Sequence, residues 1–157
     1  TQKMNKKEVF NFLIEKIKDI VIKPFDLKEK LLKICELLKD NIPYYNWVGF
    51  YIADNEKKEL YLGPYVGEST EHIRIPFGRG ICGQAVVRKE TFIVQDVSKE
   101  TNYLSCSVKV KSEIVVPVFK EDKVVAEIDI DSHKIAPFTK EDQTFLEHLA
   151  EIIKDLF

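Results

Sequence analysis

The spacing of apolar residues changes at Pro43, and this change limits the folds that the chain can adopt. Before Pro43, apolar side chains recur every three or four residues, which is typical of amphipathic helices. After it, short runs rich in β-branched and aromatic residues alternate with polar turns, and helical spacing returns near the C-terminus. Helices on both sides of a block of strands predict an α+β domain with a largely antiparallel sheet on which the helices pack.

Capping and breaking residues set the ends of the predicted helices. The first helix covers residues 6–22 and is stopped by Pro24, while Asp26 caps a second helix that ends near Asn41. Thr139 caps the last helix. The predicted strands are residues 47–52, 60–62, 73–76, 91–94, 113–119 and 123–130, with a short helix at 81–87 and a long loop at 95–111. We expect residues 1–157 to form a single domain, with helices in 1–43 and the sheet, loops and last helix in 44–157.

Charge and composition exclude several classes of partner. The net charge of −2 gives no clustered basic surface for nucleic acid or an anionic membrane, and no apolar run reaches the length of a membrane span. The first seven residues carry no signal-peptide pattern. Three cysteines, an odd number, in a chain of 157 residues are typical of a reducing compartment, so a cytoplasmic location is expected.

Cys106 lies in the long loop, among polar residues. Lys109 and Lys111 are near it in sequence, and positive charges lower the pKa of a thiol. A loop of this length inside a compact domain is usually functional. From these residues alone, a reactive thiol and an incidental surface thiol are equally supported.

Cys82 follows the glycine-rich segment 78–80 at the start of the short helix. Helix-end amides and Arg79 would favour a thiolate there, whereas the apolar neighbours favour a thiol that fills core space. Cys35 falls on an apolar helical stripe and is predicted to be buried and inert.

No sequence motif predicts a bound metal or nucleotide. The chain has no closely spaced cysteine or histidine pairs, and His72, His133 and His148 are scattered. The glycines of segment 78–83 lack the spacing of a phosphate-binding loop. We therefore expect neither a metal site nor a bound cofactor.

Acidic residues gather at one end of the predicted sheet. Asp129 and Asp131 share one strand face because strand side chains alternate, and Glu113 opens the strand that the hairpin pairs with theirs. Carboxylates held this close repel one another, so at least one should have a raised pKa. Such a group can bind an ammonium ion or give a proton to an oxygen. A solvated rim, or caps for the loop after Asp131, would also explain the gathering of acids.

Taken together, these residues resemble those of the free methionine-(R)-sulfoxide reductases, which are small single-domain members of the GAF fold. The resemblance covers the chain from about residue 44 to its end. The matching segments are NWVGFY at 46–51, LGPY at 62–65, RIPFGRGICG at 74–83, Cys106, SEIVVP at 112–117 and DIDS at 129–132.

The resemblance implies a role for each matching residue. Cys106 corresponds to the catalytic cysteine of that family and Cys82 to a second family cysteine that can form a disulfide with it. It implies that Glu113, Asp129 and Asp131 hold the amino group and the sulfoxide oxygen, and that Trp47 and Tyr51 wall the pocket. It also implies reduction by a thioredoxin-type dithiol, and GAF domains often form homodimers through their helices.

Three positions depart from the family pattern. His72 stands where relatives commonly have a further cysteine, segment 103–107 lacks polar groups found beside the family's catalytic cysteine, and Glu127 replaces an apolar residue. Either Cys82 or an external thiol must then resolve Cys106. Two other functions remain open at this point: a GAF sensor that binds a small molecule without turnover, and a thiol redox sensor that uses Cys82 and Cys106.

Overall fold

The computed structural model describes residues 4–104 and 107–157, which form four α-helices around a six-stranded sheet. The helices are α1 (Lys6–Ile22), α2 (Leu27–Asn41), α3 (Gly80–Arg88) and α4 (Lys140–Ile153). The strands are β1 (Trp47–Asp54), β2 (Glu59–Val66), β3 (Arg74–Pro76), β4 (Phe92–Val94), β5 (Ser112–Lys120) and β6 (Lys123–Ser132). Short 3₁₀ turns lie at Val97–Lys99 and Lys154–Leu156.

The predicted caps are present at the helix starts. The side chain of Asp26 accepts a hydrogen bond from the Glu29 amide at 2.9 Å, and Thr139 forms a reciprocal capping box with Asp142. The first helix ends at Ile22, just before Pro24, as predicted. These local interactions explain why the ends of the long helices could be predicted from sequence.

The sheet is antiparallel throughout its described pairings, in the strand order β3-β2-β1-β6-β5-β4. β1 and β6 are therefore central, and the hairpin of β5 and β6 brings Ser112 opposite Ser132. The expected α+β fold with a largely antiparallel sheet and terminal helices packed on it is confirmed.

The two faces of the sheet bury different groups. From residue 126 onward, even-numbered residues of β6 join α1, α2 and α4 in the larger apolar core, where Ile128 and Ile130 are fully buried. The odd-numbered residues of this stretch face the opposite way, toward α3 and the smaller apolar cluster that contains Trp47 and Cys82. The alternation of strand side chains thus separates the structural core from a second, partly polar face.

Strand β2 is longer than predicted. Gly63 and Pro64 are typical turn residues, so the sequence pattern was interpreted as ending at Leu62. In the structure β2 continues to Val66, and an irregularity in its pairing with β1 falls where Gly63 and Pro64 lie. A strand accommodates proline at such a bulge because no ladder amide is needed there.

Candidate active site

Strand register places an aromatic ring and two acids in one row across the sheet. Trp47 of β1 lies opposite Asp131 of β6, and Asp131 lies opposite Glu113 of β5. In the next row on the same face, Asp129 lies between Gly49 and Val115. The predicted gathering of Glu113, Asp129 and Asp131 is confirmed by this register.

All three acids are buried, so they do not form a solvated rim. Glu113 is 6% exposed, Asp129 3% and Asp131 2%. Burial raises the pKa of Asp131, and the charge of Asp129 raises it further, while a hydrogen bond with Glu113 opposes the increase. Burial also raises the pKa of Asp129. The expected raised pKa within this cluster is therefore present.

Cys82 lies in the first turn of α3, where its thiol faces the acids. Its Sγ contacts Glu113 Oε2 at 4.0 Å. Burial raises the pKa of Cys82 well above its usual range, and the charges of Asp129 and Glu113 raise it further. Of the two possibilities that the sequence left open, the structure supports a thiol that fills core space, because loss of hydration and nearby negative charge outweigh the helix end and Arg79.

Cys35 fills core space, as predicted. It is completely buried in α2, and its thiol contacts the carbonyl of Pro64 at 3.7 Å. Burial raises the pKa of this thiol above its usual range. Cys35 and Cys82 are both free thiols.

Cys106, the cysteine predicted in the long loop, lies outside the described residues. Lys109, predicted to lower the pKa of this cysteine, has its Nζ 3.5 Å from Glu68 Oε1. Both side chains of that pair are more than half exposed, so the pair contributes little to stability.

Trp47 and Tyr51 are held on this face by hydrogen bonds from their polar atoms. Trp47 Nε1 donates to the carbonyl of Glu68 at 2.9 Å, and its ring stacks on Tyr65 with centroids 5.2 Å apart. The Tyr51 hydroxyl donates to the carbonyl of His72 at 2.8 Å. These bonds fix the orientation of both rings.

The acids line two small cavities on the α3 side of the sheet. One, of about 20 Å³, has Asp129, Glu113, Cys82, Tyr51 and His72 in its wall. The other, of about 40 Å³, has Trp47 and Asp131 in its wall. Each holds a group the size of one or two water molecules, so a larger ligand requires the surrounding loops to move.

Glu127 is a member of this acidic face that the sequence analysis treated only as a departure from the family pattern. It is completely buried, and neither of its carboxylate oxygens has a hydrogen-bond partner of ordinary geometry among the described residues. Burial raises its pKa, the charge of Asp129 raises it further, and the Cys82 thiol opposes the increase. The alternation that placed Asp129 and Asp131 together would have placed Glu127 beside them.

Asn102 is a second residue that the sequence analysis missed. Its side chain accepts a hydrogen bond from the Gly80 amide at 2.8 Å and donates to the Gly78 carbonyl at 3.0 Å. It thereby joins the long loop to the start of α3, which carries Cys82. The sequence around a loop asparagine does not reveal a hydrogen-bond partner 22 positions away in the chain.

Potential metal ligands also meet here, although no spacing motif predicted them. One ligand atom from each of Cys82, Glu113 and Asp129 lies within 4.8 Å of the other two. These residues come from α3, β5 and β6, so no local sequence pattern joins them.

Within residues 4–104 and 107–157, no helix has the length and apolar character needed to cross a membrane.

The fold and this site define the class of protein. Residues 26–156 match the GAF domain, and the chain belongs to that family. Within it, the chain belongs with the free methionine-R-sulfoxide reductases. It is 32% identical to the free methionine-R-sulfoxide reductase of Escherichia coli over 146 residues, covering 93% of this chain and 87% of that protein.

Other relatives agree with this family. GAF domain-containing protein A of Dictyostelium discoideum is 33% identical over 151 residues, which cover 96% of this chain and 94% of that protein. The X-ray structure of free methionine-R-sulfoxide reductase from Neisseria meningitidis, in complex with its substrate, is similar with a TM-score of 0.93 and 34% identity. That similarity covers 99% of this chain and 92% of that one.

Proposed function

We propose that this protein reduces free L-methionine-(R)-sulfoxide to methionine, with Cys106 as the nucleophile. The observation that carries the proposal is the row of Trp47, Asp131 and Glu113 across the sheet, with Asp129 beside it. A row of buried acids next to an aromatic ring suits a small ligand that carries an ammonium group and an apolar part. The relatives named as free methionine-R-sulfoxide reductases support this substrate.

Buried acids explain why a free amino acid would be selected. Asp129 and Asp131 each have one oxygen without a hydrogen-bond partner among the described residues. The ammonium group of a free amino acid can donate to such oxygens, whereas a residue within a peptide has no ammonium group. A site whose buried polar groups are left unpaired rejects the ligand that fails to pair them.

The proposed reaction begins with attack of the Cys106 thiolate on the sulfoxide sulfur. A protonated acid of the cluster delivers a proton to the sulfoxide oxygen, and burial keeps Asp131 and Asp129 protonated to a higher pH than usual. The oxygen is transferred to the cysteine sulfur, so methionine leaves and Cys106 becomes a sulfenic acid. The substrate sulfur gains the two electrons that the cysteine loses.

Recycling requires a second thiol. We propose that the Cys82 thiol attacks the sulfenic sulfur, so that a disulfide forms and water leaves, and that a thioredoxin-type dithiol then reduces the disulfide by exchange. Because the pKa of Cys82 is raised, its proton must pass to a neighbouring carboxylate as the attack proceeds. Under this proposal no bound cofactor is needed, and the reducing cytoplasm supplies the electrons.

The test is the release of methionine from the R and S epimers of free methionine sulfoxide, with dithiothreitol as the reductant. We expect R-specific release by wild type and by Cys35→Ser, the matched control for a buried thiol away from this face. Cys106→Ser should be inactive. Cys82→Ser should retain dithiothreitol-dependent release and lose thioredoxin-dependent turnover.

N-acetylation of the substrate tests the role of the acids directly. N-acetyl-methionine-(R)-sulfoxide keeps the reacting sulfur but has no ammonium group, and we expect kcat/KM to fall by at least about a hundredfold. If wild type releases no methionine from either epimer, the reductase proposal fails. Binding of a small molecule without turnover would then indicate a non-catalytic sensor. A reversible disulfide between Cys82 and Cys106 would instead indicate a thiol redox sensor.

A further inference from the structure

The cluster of Cys82, Glu113 and Asp129 has the size of a metal-coordination site. Its three ligand atoms lie within 4.8 Å of one another, and Cys82 Sγ is 4.0 Å from Glu113 Oε2. A tetrahedral zinc ion with Zn–S of about 2.3 Å and Zn–O of about 2.1 Å holds its ligand atoms roughly 3.4–3.6 Å apart. Side-chain shifts of about 1 Å or less would therefore bring these atoms to coordination distance.

An unsatisfied buried oxygen gives a second, independent reason to place a cation here. Asp129 is 3% exposed, and its Oδ1 has no hydrogen-bond partner among the residues described. A buried carboxylate oxygen without a partner costs free energy, and a cation bound to Asp129 would remove that cost.

The donor set selects the kind of cation. One thiol and two carboxylates suit the borderline ion Zn²⁺ or the softer Cd²⁺, whereas Mg²⁺ and Ca²⁺ require six or more oxygen ligands. The cavity of about 20 Å³ between these groups has room for one ion. His72 and the exposed Arg79 lie in the same cavity wall but are not part of the three-residue cluster.

We propose that Cys82, Glu113 and Asp129 bind one divalent cation of the zinc class. The ion is not proposed as a cofactor of the reductase, because it would occupy Glu113 and Asp129, the acids proposed to bind the amino acid. If the reductase proposal above holds, the ion and the substrate exclude each other, and micromolar zinc or cadmium inhibits the enzyme reversibly.

The test is a titration of the fully reduced Cys106→Ser protein with Cd²⁺, in which the ultraviolet thiolate-to-metal charge-transfer band is followed. Replacing Cys106 leaves Cys35 and Cys82 as the remaining thiols of the chain, so any band reports one of these two. We expect the band to saturate at one ion per chain. The band should be absent from the double variant that carries Cys106→Ser and Cys82→Ser. It should remain in the double variant that carries Cys106→Ser and Cys35→Ser.

Carboxylate variants separate a built site from simple thiol binding. Asp129→Asn and Glu113→Gln keep the side-chain shape, and each should weaken cadmium binding by at least about tenfold. Zn²⁺ should displace Cd²⁺ with loss of the band, whereas excess Mg²⁺ should not. Far-ultraviolet circular dichroism of each variant identifies any that does not fold, and a variant that fails is replaced by Asp129→Ser or Glu113→Ser.

Each outcome bears on the proposal. A band that survives Cys82→Ser, or binding that is unchanged in both carboxylate variants, overturns the metal site. Methionine release by metal-free wild type is measured separately, so an active enzyme without the band refutes only the metal site. An inactive protein that binds cadmium through Cys82 refutes only the reductase proposal.

Discussion

Glu127 and Cys82 shift each other's pKa on the α3 side of the sheet. Burial raises the pKa of both groups; the charge of Glu127 raises that of Cys82 further, whereas hydrogen bonding from the Cys82 thiol opposes the increase at Glu127. Because Glu127 is completely buried and has no partner of ordinary geometry among the described residues, its ionised form is costly. The ionisation of Glu127 therefore affects both the free energy of unfolding and the pKa of the Cys82 thiol.

Glu127→Leu should stabilise the protein at neutral pH. Removing a buried carboxyl group without a partner should raise the free energy of unfolding by about 1–3 kcal/mol. The pKa of Glu127 is raised in the folded state, so its contribution to stability is lost as pH rises above the ordinary value of 4.5. The difference between variant and wild type should thus be smallest below about pH 4 and grow with pH.

Urea unfolding at a series of pH values measures this difference. Glu127→Gln is the matched variant, because it keeps the shape and polarity of the side chain but does not ionise, so it should lose the part of the pH dependence that Glu127 contributes. A Glu127→Leu protein that is less stable than wild type at pH 7 would show that the carboxyl group has a favourable role in folding.

Asp129→Asn should make Cys82 more reactive toward iodoacetamide. After burial, the charge of Asp129 is the largest cause of the raised pKa of Cys82, so its removal should lower that pKa and raise the thiolate fraction. We expect a several-fold faster alkylation of Cys82 at pH 8, measured by mass spectrometry in the Cys106→Ser background. Asp122→Asn, which alters an exposed acid in the β5–β6 turn, is the control and should leave the rate unchanged.

Asp142→Ala should destabilise the whole domain. Asp142 is completely buried, and it accepts hydrogen bonds from Tyr44 at 2.6 Å, from Tyr45 at 2.9 Å and from Lys6 at 2.5 Å. The variant leaves these donors without an acceptor, so the free energy of unfolding should fall by about 3–5 kcal/mol. The exposed neighbour Glu141→Ala should change it by less than about 0.5 kcal/mol, and equal losses in both variants would refute the role of Asp142.

Gly49→Ala should displace the ring of Trp47. A Cβ at position 49 would lie 2.4 Å from Trp47 Cη2 and 2.7 Å from Tyr65 Cβ, which is too close for both to stay in place. We expect a loss of about 1–3 kcal/mol in the free energy of unfolding. Since Trp47 is the chain's sole tryptophan, its fluorescence reports the shift directly.

Gly63→Ala on strand β2 is the control for this prediction. There the nearest atom to an added Cβ is the Phe50 carbonyl oxygen at 3.1 Å, so a smaller loss and unchanged tryptophan fluorescence are expected. If Gly49→Ala leaves the fluorescence unchanged, the position of the Trp47 indole ring does not depend on the absence of a side chain at position 49.

Local signals made much of the fold predictable. Asp26 and Thr139 cap their helices by contacts within three residues, and such contacts are written in the sequence itself. The shared face of Asp129 and Asp131 followed from strand alternation alone. The end of β2 was missed because a bulge accommodates Pro64, and a bulge depends on the neighbouring strand.

The environment of Cys82 could be predicted from its neighbours in sequence only in part. The apolar neighbours indicated a buried thiol, whereas the carboxylates that raise its pKa come from β5 and β6. Asn102 likewise contacts Gly80 across 22 positions of the chain. Properties that arise from such distant contacts become visible only after the strands are in register.

The alternation along β6 also protects the fold against mispairing. Its acids at 127, 129 and 131 are interleaved with the apolar residues Ala126, Ile128 and Ile130. A slip of one residue against β1 or β5 would turn the carboxylates into the apolar core under α1, α2 and α4, and would expose the isoleucines to the cavities. The acids of this face therefore also make the wrong pairing too costly to persist, so the side chains proposed to bind the ligand, Asp129 and Asp131, protect the strand register as well.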